Sequence, residues 1–357
     1  MKPKNYVFDG HKLHYHPDRL CTFLQEGDCF PLYIEVSPAG RCNHRCIFCA
    51  YDYLGHPDRR LETERFLRFI DELSACGARS VLFAGEGEPL LHPDIDLVIL
   101  HTRQKEIDVG VFTNGHLLHP DRAERILPAL TFVRFSFNGG SDENYAHMHG
   151  VRTGTYEKVA RNLAGAASIK TARGLSVDIG AQFVLLSENL PFLQTAVKRI
   201  KEAGADYFVI KPFVQQSGLQ RYQMKEQFRL EAIEGALSAA ESLSDDRFKV
   251  IARRESFSSY GKRGYRHCYG TSFISVLNSA GDIASCLPYW ERTEFVFGNI
   301  YESSFADIWQ GPVRMKVKAF LERELDVTAC PPNCRPNAIN EYLSELKHPK
   351  VQHINFI

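Results

Sequence analysis

The chain has 357 residues, with 43 basic and 43 acidic side chains and a hydrophobic content of 44%. This length suits a large α/β domain joined to a smaller one, and the apolar content is sufficient for a sizeable core. Zero formal net charge disfavours a nucleic-acid-binding surface, and the composition does not fit a disordered or coiled-coil protein. No apolar run approaches the roughly 18 residues of a membrane span, and the polar N-terminus does not resemble a signal peptide. We therefore expect a cytoplasmic protein without membrane contact.

Short apolar runs alternate with amphipathic stretches through the first two thirds of the chain. Strands are predicted at 32–37, 80–84, 108–112, 132–137, 177–185 and 207–210. Helices are predicted at 63–76, 155–169, 192–204 and 226–243. Strands and helices in alternation indicate a parallel sheet with right-handed crossovers. The predicted fold is α/β, a partial (β/α)6 barrel, and a doubly wound open sheet is the alternative.

The pattern changes near residue 263, where a β-hairpin is predicted at 272–287. We expect a small C-terminal α+β domain built from this hairpin and helices. The predicted organisation is an N-terminal extension at 1–31, a barrel core at 32–225, a connecting helix and linker at 226–262, and the C-terminal domain at 263–357.

Seven of the ten cysteines form two groups. Because disulfides are rare in cytoplasmic proteins, these groups indicate metal binding. The predicted metal ligands are Cys42, Cys46 and Cys49 in the first group, and Cys268, Cys286, Cys330 and Cys334 in the second. Three thiolates on one loop suit an iron–sulfur cluster with one iron left open, and zinc is the alternative. For the four thiols of the second group, zinc in a closed tetrahedral site is again the alternative. Cys76 is interpreted as a core packing residue. Cys21 and Cys29 lie in the N-terminal extension, where an ordinary role is favoured.

Unusual residues follow the predicted strands at the points where the strands end. The segment from Gly85 to Pro89 follows the second strand, and Lys211 follows the sixth. In a (β/α) barrel these ends share one rim, which is where active sites lie. A carboxylate and free carbonyls in the glycine-rich turn can hold an ammonium group, and glycine allows the backbone to approach a ligand closely.

The cysteine loop and the Gly-Glu-Pro turn together resemble the radical S-adenosylmethionine (SAM) superfamily over roughly residues 32 to 211. The resemblance implies that the first cysteine group holds a [4Fe–4S] cluster whose open iron chelates SAM. It implies that the reduced cluster cleaves SAM to methionine and a 5′-deoxyadenosyl radical, which abstracts a hydrogen atom from substrate. The cofactor-binding residues that it implies are Phe48, Gly85, Gly87, Glu88, Pro89, Asn114, Ser136 and Asn138.

The second cysteine group resembles the Twitch and SPASM extensions of radical SAM enzymes. Gly298, Asn299, Ile300 and Trp309 lie between its cysteine pairs and strengthen that similarity. A full SPASM domain has more cysteines after the gap than this chain does. The resemblance therefore implies one auxiliary [4Fe–4S] cluster in a Twitch-like domain.

Strand alternation places polar side chains inside the barrel, because helices must cover the apolar face. Glu35, Arg134 and Asp178 are expected to form a structural ion network. The substrate-site candidates are Gln182, Lys211, Arg152 and Tyr289. His116 and His149 could also contact substrate, and an ordinary surface or packing role is favoured for both. For Cys21 and Cys29, quenching of a substrate radical is the alternative to an ordinary role.

The predicted function is a radical SAM oxidoreductase or epimerase that acts on a sugar, a cyclitol or a nucleotide sugar. The resemblance implies a reductant such as flavodoxin or ferredoxin. A peptide-modifying maturase is the alternative, and a non-catalytic zinc or iron–sulfur protein is the alternative of another class.

Overall fold

The computed structural model describes residues 6–215, 219, 221–224, 228–289 and 292–356. The strands are β1 Tyr33–Val36, β2 Ser80–Phe83, β3 Asp108–Thr113, β4 Phe132–Ser136, β5 Asp178–Leu185, β6 Tyr207–Pro212, β7 Lys249–Ala252, β8 Ile274–Leu277, β9 Asp282–Ala284 and β10 Val296–Asn299. The α-helices are α1 Pro17–Glu26, α2 Thr63–Ala75, α3 Ile95–Gln104, α4 Pro120–Ile126, α5 Asp142–His149, α6 Thr155–Arg173, α7 Leu193–Glu202, α8 Leu230–Glu241, α9 Arg254–Ser258, α10 Phe305–Gln310, α11 Pro312–Arg323 and α12 Asn337–Lys347. Within this described part, every helix is too short or too polar to cross a bilayer.

The ten strands of the described residues belong to one sheet, in the order β10-β9-β8-β1-β2-β3-β4-β5-β6-β7. From β1 to β7 each strand pairs in parallel with the strand before it, and β7 does not return to pair with β1. A doubly wound sheet would reverse its strand order after the first strand. The partial barrel predicted from the sequence is therefore confirmed, and the doubly wound alternative is wrong.

The six predicted barrel strands all form, with ends that differ from the predicted ones by at most two residues. The predicted helix at 226–243 corresponds to α8, and its first two residues lie outside the described part of the chain. Strand β7 was not predicted, because a four-residue strand at the end of the sheet carries little periodic signal.

The C-terminal hairpin extends the barrel's own sheet. Strand β8 pairs in parallel with β1, from Tyr33 opposite Ile274 to Val36 opposite Leu277. Strands β9 and β10 continue from β8 as an antiparallel meander. The sheet therefore carries backbone hydrogen bonds from the barrel directly into the C-terminal segment.

The N-terminal extension closes the end of the barrel at which the strands begin. The rings of Tyr6 and Phe8 lie 4.7 and 5.3 Å from that of Tyr207, and the Arg134 guanidinium lies 4.8 Å from the Phe8 ring. Asp9 then accepts a 2.8 Å hydrogen bond from Arg253 Nε. Interior residues at this end are thus covered by chain that precedes the first strand.

Phe8→Ala is expected to lower the free energy of unfolding by about 1 to 2 kcal/mol, because it removes a cation–π contact and an aromatic contact. Urea unfolding measures the change. Val7→Ala is the matched control, because Val7 is the next residue and is 54% exposed. If the two variants lost the same free energy of unfolding, the Phe8 ring would not have a covering role.

Candidate active site

A cavity of about 410 Å³ opens at the end of the barrel where the parallel strands finish. All of the predicted cysteine ligands and all of the predicted cofactor residues line it, as do Gln182, Lys211 and Tyr289. Arg152 is exposed and does not belong to its lining. The two cysteine groups thus face one shared space, together with three of the four substrate-site candidates.

The first cysteine group lies on the loop after β1, and side chains from inside and outside the loop hold it. Arg45 Nη1 donates hydrogen bonds to the carbonyls of Cys42 and His44, at 2.6 and 2.8 Å. Asn114 Nδ2, from the loop after β3, donates to Asn43 Oδ1 at 2.7 Å. Burial raises the pKa of the Cys42 thiol to about 12. A thiolate at this site therefore needs a strong positive partner, such as bound metal.

Neither cysteine group has the geometry of a site for one zinc ion. A zinc–sulfur distance of about 2.3 Å holds tetrahedral thiolates roughly 4 Å apart. In the described residues, only His44, Cys46 and His149 bring three candidate ligand atoms within 4.8 Å of one another. Among the described residues, neither cysteine group has three sulfurs that all lie this close to one another.

Glu88 organises the glycine-rich loop after β2. Its carboxylate accepts hydrogen bonds from the Thr113 hydroxyl at 2.7 Å and from the backbone nitrogens of Asn114 and Leu90 at 2.8 and 3.1 Å. Burial raises the pKa of Glu88, and these hydrogen bonds act in the opposite direction. A carboxylate has about four acceptor positions, so roughly one is left for a ligand ammonium group.

Gly87 lets this loop contact the cysteine loop. A Cβ at position 87 would lie 2.1 Å from the Arg41 carbonyl oxygen, so no larger residue fits without a shift of the backbone. The next backbone nitrogen, that of Glu88, donates to the same oxygen at 3.0 Å. The glycine-rich loop and the loop of the first cysteine group are therefore packed directly on each other.

Glu88→Ala is expected to weaken SAM binding at least tenfold, about 1.4 kcal/mol, without loss of iron. It removes the candidate ammonium partner and leaves three buried donors without their acceptor. Equilibrium dialysis with the reconstituted protein measures the affinity. Glu88→Gln keeps part of the hydrogen bonding, so its affinity for SAM is expected to lie between those of the wild type and the alanine variant. Glu124→Ala removes an exposed carboxylate and serves as control. Unchanged affinity in the alanine variant would remove Glu88 from the site.

Phe48 contributes to an apolar wall of the cavity. Its ring is half-buried and packs against a buried cluster that includes Met148, Val184 and Phe213. Such a surface suits a flat heterocyclic ring. Ser136 and Asn114 border the same space.

Asn138 also lines the cavity, and its polar atoms are already engaged by the protein. Its Oδ1 accepts from the Val184 backbone nitrogen at 2.6 Å, and its carbonyl accepts from Asn189 Nδ2 at 3.1 Å. Its side-chain nitrogen lies 3.3 Å from His149 Nε2. The Asn138 side chain is therefore fixed before any ligand binds.

The second cysteine group brings together distant parts of the C-terminal segment. Cys268 precedes β8, Cys286 follows β9, and the other two lie between α11 and α12. Asn340 on α12 donates from Nδ2 to Cys268 Sγ at 3.5 Å. Burial raises the pKa of Cys268 to about 12 and that of Cys334 to about 11. Asn340 was missed in the sequence, because it lies outside the cysteine spacing and only the fold brings α12 to the site.

The charged interior differs from the predicted ion network. Buried Glu35 pairs with Arg335 and accepts a 3.1 Å hydrogen bond from the Tyr33 hydroxyl. Arg134 instead donates to the Tyr207 hydroxyl at 3.1 Å, between aromatic rings. Within the described residues, Glu35 and Arg134 therefore have different direct partners, and the wider network that includes Asp178 stays a prediction. Glu35 takes its partner from the C-terminal segment, whose position over the barrel cannot be read from strand alternation.

Lys211 is half-buried and faces the cavity from the end of β6. Its pKa falls to about 7, first because of burial and then because of the guanidinium groups of Arg253, Arg335 and Arg134. Glu35 acts in the opposite direction. A lysine with so strongly lowered a pKa in a cavity is typical of a functional site.

Two sequence-family profiles match the chain. The profile of the Radical SAM superfamily matches residues 36–179, which run from the end of β1 into β5. The SPASM profile, described as an iron–sulfur cluster-binding domain, matches residues 268–335 and thus includes the whole second cysteine group. The narrower Twitch-like assignment stays a prediction.

Two curated relatives cover most of the chain. The AdoMet-dependent heme synthase of Methanosarcina barkeri is 25% identical over 297 residues, covering 75% of this chain and 79% of that protein. The PqqA peptide cyclase of Granulibacter bethesdensis is 25% identical over 297 residues, covering 79% of this chain and 74% of that protein.

Among solved structures, Streptococcus suis SuiB bound to its precursor peptide SuiA superposes with a TM-score of 0.64 at 17% identity, covering 89% of this chain and 74% of SuiB. SuiB bound to S-adenosylmethionine gives a TM-score of 0.65 at 18% identity, covering 86% of this chain and 72% of SuiB. The domains matched by the two profiles indicate SAM, a catalytic [4Fe–4S] cluster and an auxiliary one. The chain is therefore a radical SAM enzyme with a SPASM-type cluster domain at its C-terminal end.

Proposed function

We propose that this enzyme abstracts a hydrogen atom from a substrate that carries an anionic group, and that Lys211 and Arg335 bind that group. The observation that carries the proposal is the shared cavity, which both cysteine groups, Gln182 and these two cations line. When bound, SAM and the reduced catalytic cluster supply the 5′-deoxyadenosyl radical. The chain's own contribution is to bind and orient the substrate beside them and to exclude water.

The charges around Lys211 support an anionic ligand. Two of the guanidinium groups that lower the Lys211 pKa have carboxylate partners: Arg335 pairs with Glu35, and Arg253 pairs with Asp9. Arg134 lies between the rings of Phe8 and Phe112, at 4.8 and 4.6 Å from their centroids. Three of the four charged groups that most strongly shift the Lys211 pKa are thus guanidinium groups, and burying an ammonium group near them is costly. A substrate carboxylate or phosphate would restore the balance.

An anionic group narrows the predicted substrate classes. A nucleotide sugar carries phosphates that could pair with Lys211, whereas an unmodified sugar or cyclitol is neutral and offers no charge to it. Among the predicted small molecules, we therefore favour a nucleotide sugar or another acidic metabolite. Gln182, which lines the same cavity, can donate and accept hydrogen bonds with hydroxyl groups of such a substrate.

A peptide with an acidic side chain is the second candidate. The PqqA peptide cyclase is similar over 79% of this chain, and SuiB with its precursor peptide shares the fold. A carboxylate of such a peptide would bind to the same two side chains, Lys211 and Arg335. This candidate differs from the first in the size of the substrate and not in the chemistry of the bound group.

For the outcome of the reaction, we favour net oxidation over epimerisation. Redox-neutral epimerisation needs a hydrogen-atom donor, usually a thiol. Cys29 is buried with its Sγ 3.4 Å from the Ser272 carbonyl, and Cys21 is exposed. Within the described residues, every cysteine that lines the cavity is a predicted cluster ligand. Oxidation instead needs an electron acceptor near the substrate, and the thiols of the second cysteine group lie in the same cavity.

The test measures 5′-deoxyadenosine formed by the reconstituted enzyme, with flavodoxin or dithionite as reductant. Candidates are offered in matched pairs: a nucleotide sugar against its free sugar, and an acidic peptide against its amide. We expect the acidic member of the productive pair to raise turnover. Lys211→Met should raise the KM for it at least tenfold, and Lys211→Arg should restore part of the loss. Equal turnover with acidic and neutral members would contradict an anionic substrate.

Repeating these reactions in deuterated water distinguishes oxidation from epimerisation. Oxidation gives a product with two hydrogens fewer and no deuterium at carbon. A product isomeric with the substrate that carries deuterium at a carbon would overturn oxidation and show a solvent-exchangeable donor.

A further inference from the structure

His149 is the last residue of α5, and its side chain contacts the first cysteine group. The imidazole is fully buried, stacks on the Tyr145 ring at 4.0 Å with 17° between the planes, and places Nδ1 3.5 Å from Cys46 Sγ. This distance is within hydrogen-bonding range for sulfur. The contact is made by a residue 103 positions away in the chain, which the cysteine motif does not include.

The hydrogen bonds at the other ring nitrogen define which nitrogen carries the proton. The Asn138 backbone N–H points to His149 Nε2 at 3.1 Å. The Asn138 side-chain nitrogen lies 3.3 Å from the same atom, and the Val184 backbone N–H, bonded to Asn138 Oδ1, sets that orientation of the amide. Because Nε2 accepts hydrogen bonds, a neutral imidazole carries its proton on Nδ1. That proton faces Cys46.

The backbone keeps His149 and the cysteine loop in register. Arg45 N donates to the His149 carbonyl at 3.0 Å, and Ile47 N donates to the Met148 carbonyl at 3.1 Å. A Cβ at Gly150 would lie 2.1 Å from the Arg45 carbonyl, so the two segments are in direct backbone contact. These contacts lie on either side of Cys46, so the imidazole and the sulfur are held together as one unit.

We propose that His149 donates a hydrogen bond from Nδ1 to the Cys46 thiolate of the catalytic cluster, and that this bond raises the cluster's reduction potential. The inference rests on the assignment of Cys42, Cys46 and Cys49 to that cluster. A donor to a ligating sulfur stabilises the more negative, reduced state, and hydrogen bonds to sulfur are among the factors that set the potential of an iron–sulfur cluster. His149 is therefore a positioning residue that acts through Cys46.

The test compares His149→Phe, which keeps the ring stacked on Tyr145 and removes the donor, with His149→Gln, which keeps a polar N–H. His116→Gln is the matched control, because His116 lies beside the same loop but contacts Lys158 at 2.8 Å, and its ring is 5.9 Å from that of His44. Reconstituted proteins are first assayed for iron. The reduction potential is then followed by EPR on the signal that changes when SAM is added, because that signal belongs to the cluster with the open iron.

We expect the phenylalanine variant to have a lower potential than the wild type, the glutamine variant to lie between them, and the control to match the wild type. An unchanged potential in a phenylalanine variant with full iron content would overturn the inference. If neither variant assembles the cluster, electron–nuclear double resonance on the wild type in deuterated water decides, and the absence of an exchangeable proton coupled to this cluster overturns it. A wild-type protein without a catalytic cluster would instead overturn the proposed function.

Discussion

Replacing Cys42, Cys46 and Cys49 together with alanine is expected to abolish 5′-deoxyadenosine formation and to remove about half of the iron. The anaerobically reconstituted wild type should hold about eight irons, four in each of two clusters. The three thiols share one loop, and the four thiols of the second group line the other side of the same cavity. Because separate ligand sets hold the two clusters, loss of one set should leave the other cluster in place.

Iron analysis and EPR spectroscopy measure this outcome, with the cysteines of the second group replaced in a complementary variant. That variant should also keep about half of the iron, with the SAM-responsive signal preserved. Cys21→Ala is the control for thiol loss, because Cys21 is exposed and lies outside both groups. A triple variant that kept all of its iron would show that the catalytic cluster had been assigned to the wrong residues.

Lys211→Met is expected to increase the free energy of unfolding near pH 6 by a few kcal/mol, in order of magnitude. The folded pKa is about 7 and the ordinary value is 10.5, so between these values the unfolded chain holds a proton that the folded protein has released. Stability contributed by this group therefore rises with pH across that window. Below pH 7 the charged, partly desolvated ammonium gives its full destabilising effect, and methionine removes it.

The stabilisation by methionine should shrink as the pH rises from about 7 and approach zero near 10.5. Urea unfolding at about pH 6 and pH 9 measures the difference between variant and wild type. Lys198→Met, at an exposed position on α7, is the control and should give similar differences at both pH values. A variant equally stable with the wild type at the lower pH would contradict a destabilising burial of the Lys211 ammonium group.

Sequence patterns predicted the barrel well, because its strands and helices repeat with clear periods. Several barrel strands are followed by unusual residues, and the strand ends of a parallel barrel meet on one rim, so residues far apart in the chain could be assigned to one site. The first cysteine group, the glycine-rich turn and Lys211 were found in this way, and the second cysteine group was found from its spacing. All of them line the cavity.

What the sequence did not predict depends on how the C-terminal segment sits over the barrel. Arg335 directly follows Cys334, yet its pairing with Glu35 arises only because that segment lies over the cavity. Strand β10 was missed because four residues give a short periodic pattern. Arg152 was considered as a substrate residue from its place in a loop, and it is exposed away from the cavity, since a loop position does not define a direction.

The parallel pairing of β8 with β1 has a consequence for how the chain folds. Without β8, strand β1 would be an edge strand of the barrel, with a row of unpaired backbone donors and acceptors able to recruit another chain. The SPASM-type segment therefore also protects the barrel against edge-to-edge association. The sheet is still aggregation-prone when its barrel strands have been synthesised, because about 240 residues separate β1 from its neighbour β8 in the chain.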